Sequence, residues 1–173
     1  VVKMGADITY ILDKHYGDPE KYNEKIKDFL KTLDIDVDAE NFKLVCKPTE
    51  DWGGIYINCY TEEKYDRESL KHLTYDETIF TFKLIEMPGC CAYLISTGTY
   101  VGRKYGGKGV AQFLQKLKYE MAKDSHYPYL IATTVKNNEI ENHILRKFNW
   151  ELVDEITNSR TKNIVLFWKK EIK

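Results

Sequence analysis

The sequence predicts a single α/β (α+β) domain with a mixed, mostly antiparallel central sheet flanked by helices. Three observations carry this prediction. Short runs of β-branched and aromatic residues recur between turn residues. Several segments space apolar residues at the helical period. Between a strand ending at Val101 and a helix beginning at Val110 lies a basic, glycine-rich loop. With 173 residues, 43% of them apolar, the chain is long enough to bury a substantial core in one domain without disulfides.

Asp18-Pro19-Glu20 puts a turn residue, a proline and an acid where a helix begins. Tyr22, Ile26, Phe29, Leu30 and Leu33 form its apolar stripe. Phe42 to Cys46 and Ile55 to Tyr60 read as short strands, separated by Pro48 and the Asp51-Trp52-Gly53-Gly54 turn. The charged stretch Glu63 to His72 suits a short helix or a loop. Thr78 to Glu86 is a strand, and Met87-Pro88-Gly89 turns it tightly into a second strand, Cys90 to Val101, as a hairpin.

In the helix that follows, Val110, Phe113, Leu114, Leu117 and Met121 fall on one stripe. The same spacing assigns Gln112, Gln115, Lys116, Lys118 and Lys123 to solvent. Tyr129 to Val135 reads as a buried strand. Asn138 to Trp150 reads as a helix, with Asn138 as its N-cap and Asn149 where a left-handed residue ends it. Two strands, roughly Glu151 to Ile156 and Asn163 to Ile172, close the chain.

The loop Val101-Gly102-Arg103-Lys104-Tyr105-Gly106-Gly107-Lys108-Gly109-Val110-Ala111 has the chemistry of a phosphate cradle. Glycines let the backbone take positive φ and let a ligand approach, while the next helix aims free N–H groups and its positive pole at an anion. Two known phosphate loops fail on it. A P-loop needs Lys-Ser or Lys-Thr after its last glycine, and Gly109 is followed by Val110-Ala111. A dinucleotide fingerprint needs a third glycine where Gln112 stands.

The loop resembles motif A of the GNAT superfamily of N-acetyltransferases, in which a strand ending in Val leads through (Gln/Arg)-x-x-Gly-x-(Gly/Ala) to a helix. Gly106 takes the usual Gln or Arg position. The Asn138 to Trp150 helix is similar to the family's Asn-x-x-Ala-x-x-x-Tyr-x-x-x-Gly-Phe, with Asn149 at the Gly and Trp150 at the Phe. The likeness covers residues 78–173, leaving 1–77 as a variable, acceptor-side region of the same domain. It implies the acyl-CoA N-acyltransferase fold, whose two central strands splay to admit pantetheine, paired to strand backbone like an added strand.

It further implies acetyl-CoA as co-substrate. Thr99 and Val101 would offer main-chain groups to pantetheine. The loop, including Gly106, Gly107, Gly109, Val110 and Ala111, would hold the pyrophosphate. Arg103, Lys104 and Lys108 would lie near the adenosine phosphates, and Asn138 would complete the site.

The implied chemistry is attack of a primary amine on the acetyl thioester, with backbone N–H groups stabilising the oxyanion and a carboxylate taking the amine's proton. Glu141, one helical turn from Asn138 and Leu145, is the candidate catalytic residue, either as donor to the departing thiolate or, with Glu86, Tyr93 and Ser96 equally possible by rough placement, as acceptor of the amine's proton. Leu145 stands where many family members carry a tyrosine that protonates the departing thiolate, and leucine has no proton to give. Three readings follow: an N-acetyltransferase for an amine of a protein or small molecule, an acyl-CoA-binding module with weak or no catalysis, and an enzyme of this fold that modifies a nucleobase or transfers a larger acyl group.

The net charge of −1 supplies no general attraction to nucleic acid or acidic membranes. Cys46, Cys59, Cys90 and Cys91 lack zinc-site spacing, and the four histidines form no ligand grouping, so no metal is expected. No secretory leader or apolar span is evident, and the sequence suits a reducing cytoplasm. A homodimer is compatible with it.

Overall fold

In the computed structural model, residues 4–10, 19–35, 42–46, 54–61 and 78–173 are described. The strands are β1 (Met4–Tyr10), β2 (Phe42–Cys46), β3 (Gly54–Thr61), β4 (Thr78–Met87), β5 (Cys90–Val101), β6 (Tyr129–Val135), β7 (Glu151–Thr157) and β8 (Ile164–Glu171). The helices are α1 (Pro19–Lys31), α2 (Val110–Asp124) and α3 (Glu139–Lys147). Among the described residues the strands form one eight-stranded sheet in the order β2-β1-β3-β4-β5-β6-β8-β7. β1·β2 and β5·β6 are parallel and the other pairs antiparallel. The mixed, mostly antiparallel sheet is therefore present. The 63–72 stretch and the turn at residues 51–53 lie outside the described residues.

The hairpin β4–β5 turns at Pro88-Gly89, where proline fixes the first central φ and Gly89 takes φ 74°. On β4 the alternate residues Phe80, Phe82 and Leu84 are fully buried, joined by Leu94 of β5, Leu130 and Ala132 of β6, and Leu166 and Trp168 of β8. Helices α1 and α2 close this core. Tyr22, Ile26 and Leu30 are buried at i, i+4 and i+8, and Phe29 stacks on Phe113 with ring centroids 4.1 Å apart. At the margin, Lys21 and the Tyr22 hydroxyl both donate to Asp124 at 2.7 Å. Two residues that helical spacing assigns to solvent are buried instead: Gln115 is 9% and Lys118 1% exposed. α2 is covered across a wider arc than one stripe, and each polar head finds a partner inside.

A polar network fixes α3. The Thr134 hydroxyl accepts from Trp168 Nε1 at 2.8 Å and donates to Asn142 Oδ1. Asn142 Nδ2 donates to the carbonyls of Lys136 at 2.9 Å and Val135 at 3.3 Å. With Asn142 2% and Thr134 4% exposed, the network is buried and satisfied. Asn142→Leu leaves the Thr134 hydroxyl without its acceptor and removes a donor from the Lys136 carbonyl, while the Val135 carbonyl keeps the Asn138 N–H. It is expected to cost about 1–3 kcal/mol, read as a fall in the urea midpoint with an unchanged slope.

Candidate active site

Parallel pairing between β5 and β6 runs from Tyr93↔Tyr129 to Ser96↔Ala132 and then stops. Beyond that point each strand stays bound only on its outer side. Tyr100 and Val101 pair with Thr81 and Phe80 of β4, while Thr133, Thr134 and Val135 pair with Phe167, Leu166 and Val165 of β8. The divergence coincides with a bulge. Thr81 faces Tyr100 but Lys83 faces Thr97, so Gly98 and Thr99 together oppose Phe82, with Gly98 at φ 60°. A bulge bends its strand and re-aims side chains, and this one turns β5 away from β6.

A cleft of about 580 Å³ occupies this end of the molecule. Its walls come from the last residues of β5, the glycine loop, the first turns of α2 and the start of α3. Of the residues expected in the site, Thr99, Val101, Arg103, Gly106, Gly107, Gly109, Val110, Ala111, Asn138 and Glu141 all line it. Lys104 and Lys108 are exposed and stand outside the lining, with Lys108 5.9 Å from the centre of the Tyr105 ring. Glu86 is remote: it accepts from the Tyr127 hydroxyl near the hairpin turn. Tyr93 stacks on Tyr129 where the strands are still paired, and Ser96 is buried at the last pair.

The loop leaves β5 at Gly102, whose N–H donates to Ile79 O at 2.8 Å. A Cβ there would lie 1.9 Å from Thr78 O, so the chain can pass only as glycine. A short 3-10 turn, Arg103–Tyr105, follows, and Gly107 and Gly109 take φ 72° and 83°. Gly109 is the N-cap of α2 and supplies no side-chain hydrogen bond, and no acid stands in the first turn. The free amides and positive pole of α2 therefore face the cleft uncompensated. A Cβ on Gly107 or Gly109 would meet nothing within 4 Å, which leaves the cradle open.

Across the cleft, Asn138 caps α3. Its Oδ1 accepts from Glu141 N at 3.3 Å and its Nδ2 donates to Glu141 Oε2 at 3.0 Å. Burial raises the Glu141 carboxyl above its usual range, and Lys118 partly opposes that shift. Leu145 is 2% exposed and belongs to the core, and Ile144 lines the cleft beside it. Neither can move a proton. Lys118 itself was absent from the expected site. Its Nζ donates to Thr99 Oγ1 at 2.6 Å and lies 5.2 Å from the centre of the Phe82 ring. Among the described residues no metal-binding cluster of His, Cys, Asp and Glu occurs, and no helix is long and apolar enough to cross a membrane.

A mixed sheet whose central parallel pair opens over a glycine loop and a helix N-terminus defines the acyl-CoA N-acyltransferase class of fold. Solved structures bear this out: the fold is that of the GNAT acetyltransferases. Nourseothricin acetyltransferase superposes with a TM-score of 0.55 at 14% identity, over 69% of this chain and 66% of its own. A protein assigned to the GNAT family from Desulfovibrio desulfuricans gives 0.52 at 9%, over 68% and 70%. A ribosomal L7/L12 α-N-protein acetyltransferase, solved with coenzyme A, gives 0.53 at 11%, over 69% and 62%. The match thus spans about two-thirds of each neighbour's length. No protein-family model matches the sequence, and no curated protein matches it significantly.

Burial lowers the Lys118 pKa from its ordinary 10.5 to about 8, with Glu141 acting in the opposite direction. The shift corresponds to about 3 kcal/mol against the charged form. Below pH 8 the folded protein bears that cost in full. Between about 8 and 10.5 the unfolded chain holds the extra proton, so stability rises with pH across this window. Lys118→Met is expected to stabilise the protein by about 2–3 kcal/mol at pH 7 and to flatten that rise, as checked by denaturant titrations at a series of pH values.

Proposed function

We propose that the cleft binds acetyl-CoA and that the protein transfers the acetyl group to a primary amine by direct attack, without a covalent enzyme intermediate. One observation carries this reading: the unpaired inner edges of β5 and β6 open onto the amides of the glycine loop and α2. Those edges offer backbone partners to an extended amide-bearing arm, and the loop offers donors to a pyrophosphate at the arm's end. Thr99 and Val101 serve the first, and Gly107, Gly109, Val110 and Ala111 the second, while the N–H of Gly106 donates to Arg103 O at 3.4 Å and closes the short turn. Arg103 lies beside them, and Asn138 closes the opposite wall.

Glu141 is the proposed proton acceptor. It is the carboxylate in the cleft wall, and its raised pKa moves it toward the range in which a base can both take and release a proton. The acceptor is a protein or small-molecule amine. Neighbours of this fold carry names as different as nourseothricin acetyltransferase and ribosomal L7/L12 α-N-protein acetyltransferase, so the fold by itself does not choose between them. Leu145 in the core favours a second reading, an acyl-CoA-binding module with slow transfer, because no tyrosine reaches the cleft from that position.

Two outcomes test the proposal. Gly107→Leu combined with Gly109→Leu fills the open cradle and adds roughly 1–2 kcal/mol of left-handed strain per residue. The folded double variant is expected to lose saturable acetyl-CoA binding by calorimetry, and retained affinity rejects the site. Glu141→Gln should lower kcat on a panel of peptide N-termini and small amines by about a hundredfold or more. It should also abolish the acid limb of the pH profile, which in the unmodified protein lies above the ordinary 4.5; an unchanged limb assigns the base elsewhere.

A further inference from the structure

Lys118 is a buried cation that forms no ion pair among the described residues. Its ammonium is held by the Thr99 hydroxyl at 2.6 Å and by the face of Phe82. Those two partners are the residues that face each other at the β5 bulge. Because Thr99 Oγ1 accepts from Lys118, its own O–H remains free to donate, and Thr99 lines the cleft. A hydroxyl that accepts from a cation is a stronger donor than an isolated one.

The position along β5 matters. Strand geometry places Gly98 about 13 Å from Gly102, at ~3.3 Å per residue. An extended arm that leaves the glycine loop along the inner edge of β5 runs toward the Gly98–Thr99 bulge, where pairing with β6 has just ended.

We propose that Thr99 and Lys118 form a proton relay to the coenzyme A sulfur, taking over the task for which position 145 has no donor. This rests on the acetyl-CoA reading of the cleft. As the amine nitrogen forms the new C–N bond and the C–S bond breaks, sulfur leaves with the electron pair. It takes the Thr99 Oγ1 proton, and Thr99 takes one from Lys118 Nζ. The nitrogen's surplus proton passes to Glu141, and its return through solvent to Lys118 restores both groups, so the net reaction is thioester plus amine giving amide plus thiol. Thr99 is the group that touches the sulfur. Lys118 is a positioning residue that aims and polarises it.

The groups facing the Lys118 ammonium are Thr99 from β5, Phe82 from β4 and, as the charge acting on it from α3, Glu141. Its burial sets the ammonium to lose its proton near pH 8, so the relay operates below that value. The same charge should stabilise a bound thiolate.

The test uses coenzyme A itself and needs no acceptor. Binding is measured by calorimetry, and the bound thiol is titrated through the ultraviolet absorbance of its thiolate, in the unmodified protein, Thr99→Val, Thr99→Ser and Lys118→Met. Thr99→Val preserves shape and backbone, so it reports on the hydroxyl. In the unmodified protein the bound thiol is expected to titrate at least one pH unit below free coenzyme A, a tenfold or greater gain in thiolate. Thr99→Val and Lys118→Met should remove that gain, and Thr99→Ser should retain it. Coenzyme A that binds the unmodified protein with an unshifted thiol overturns the relay and leaves the cleft reading intact. No binding to the unmodified protein overturns the cleft reading, and the relay with it.

Discussion

The early end of pairing between β5 and β6 is the constraint on which the rest of the structure depends. Backbone N–H and C=O groups are seldom left unpaired inside a protein, yet two adjacent central strands part after Ser96↔Ala132. The opening persists because each half-strand is held from outside, β5 by β4 and β6 by β8. It begins at a bulge with a left-handed glycine, Gly98. The two helices at its mouth are secured separately. α2 is packed through Leu114, Leu117 and Met121 together with the Phe29·Phe113 stack, and α3 through the Trp168–Thr134–Asn142 network.

The chain is nearly neutral overall, so the electrostatics of the cleft arise from placement. The α2 pole faces it with no acid in the first turn, while Glu141 and Lys118 approach it from α3 and from beneath β5. Burial pushes each of these two toward its neutral form and the other pulls it back. A cation and an anion are thereby both kept within reach of proton exchange. Arg103 is the cationic side chain in the wall; Lys104 and Lys108 remain outside it.

Local signals were legible in the sequence, and long-range ones were not. Gly107 and Gly109 announced positive φ, Asn138 a cap and Asn149 a left-handed terminus, and each has that conformation. Pro88-Gly89 announced the hairpin. β1 carries its own alternation, with Met4, Ala6, Ile8 and Tyr10 at every second position. Lys118 was hidden for a physical reason. A lysine in an amphipathic helix belongs in solvent unless something buried receives it, and what receives it is a hydroxyl turned by a bulge in another strand. A bulge is a property of register between strands, and register is not written in either strand alone.

The hydrogen bonds of Asn138 also give the cleft wall a sensitivity of its own. One side chain both terminates α3 and holds Glu141, the first bond running to the acid's backbone N–H and the second to its carboxylate. A carboxylate accepts strongly, whereas a neutral carboxyl accepts weakly and must also place a proton. Protonation of Glu141 therefore weakens the second bond and leaves the first, so the charge on one carboxyl bears on how firmly the capping side chain is held.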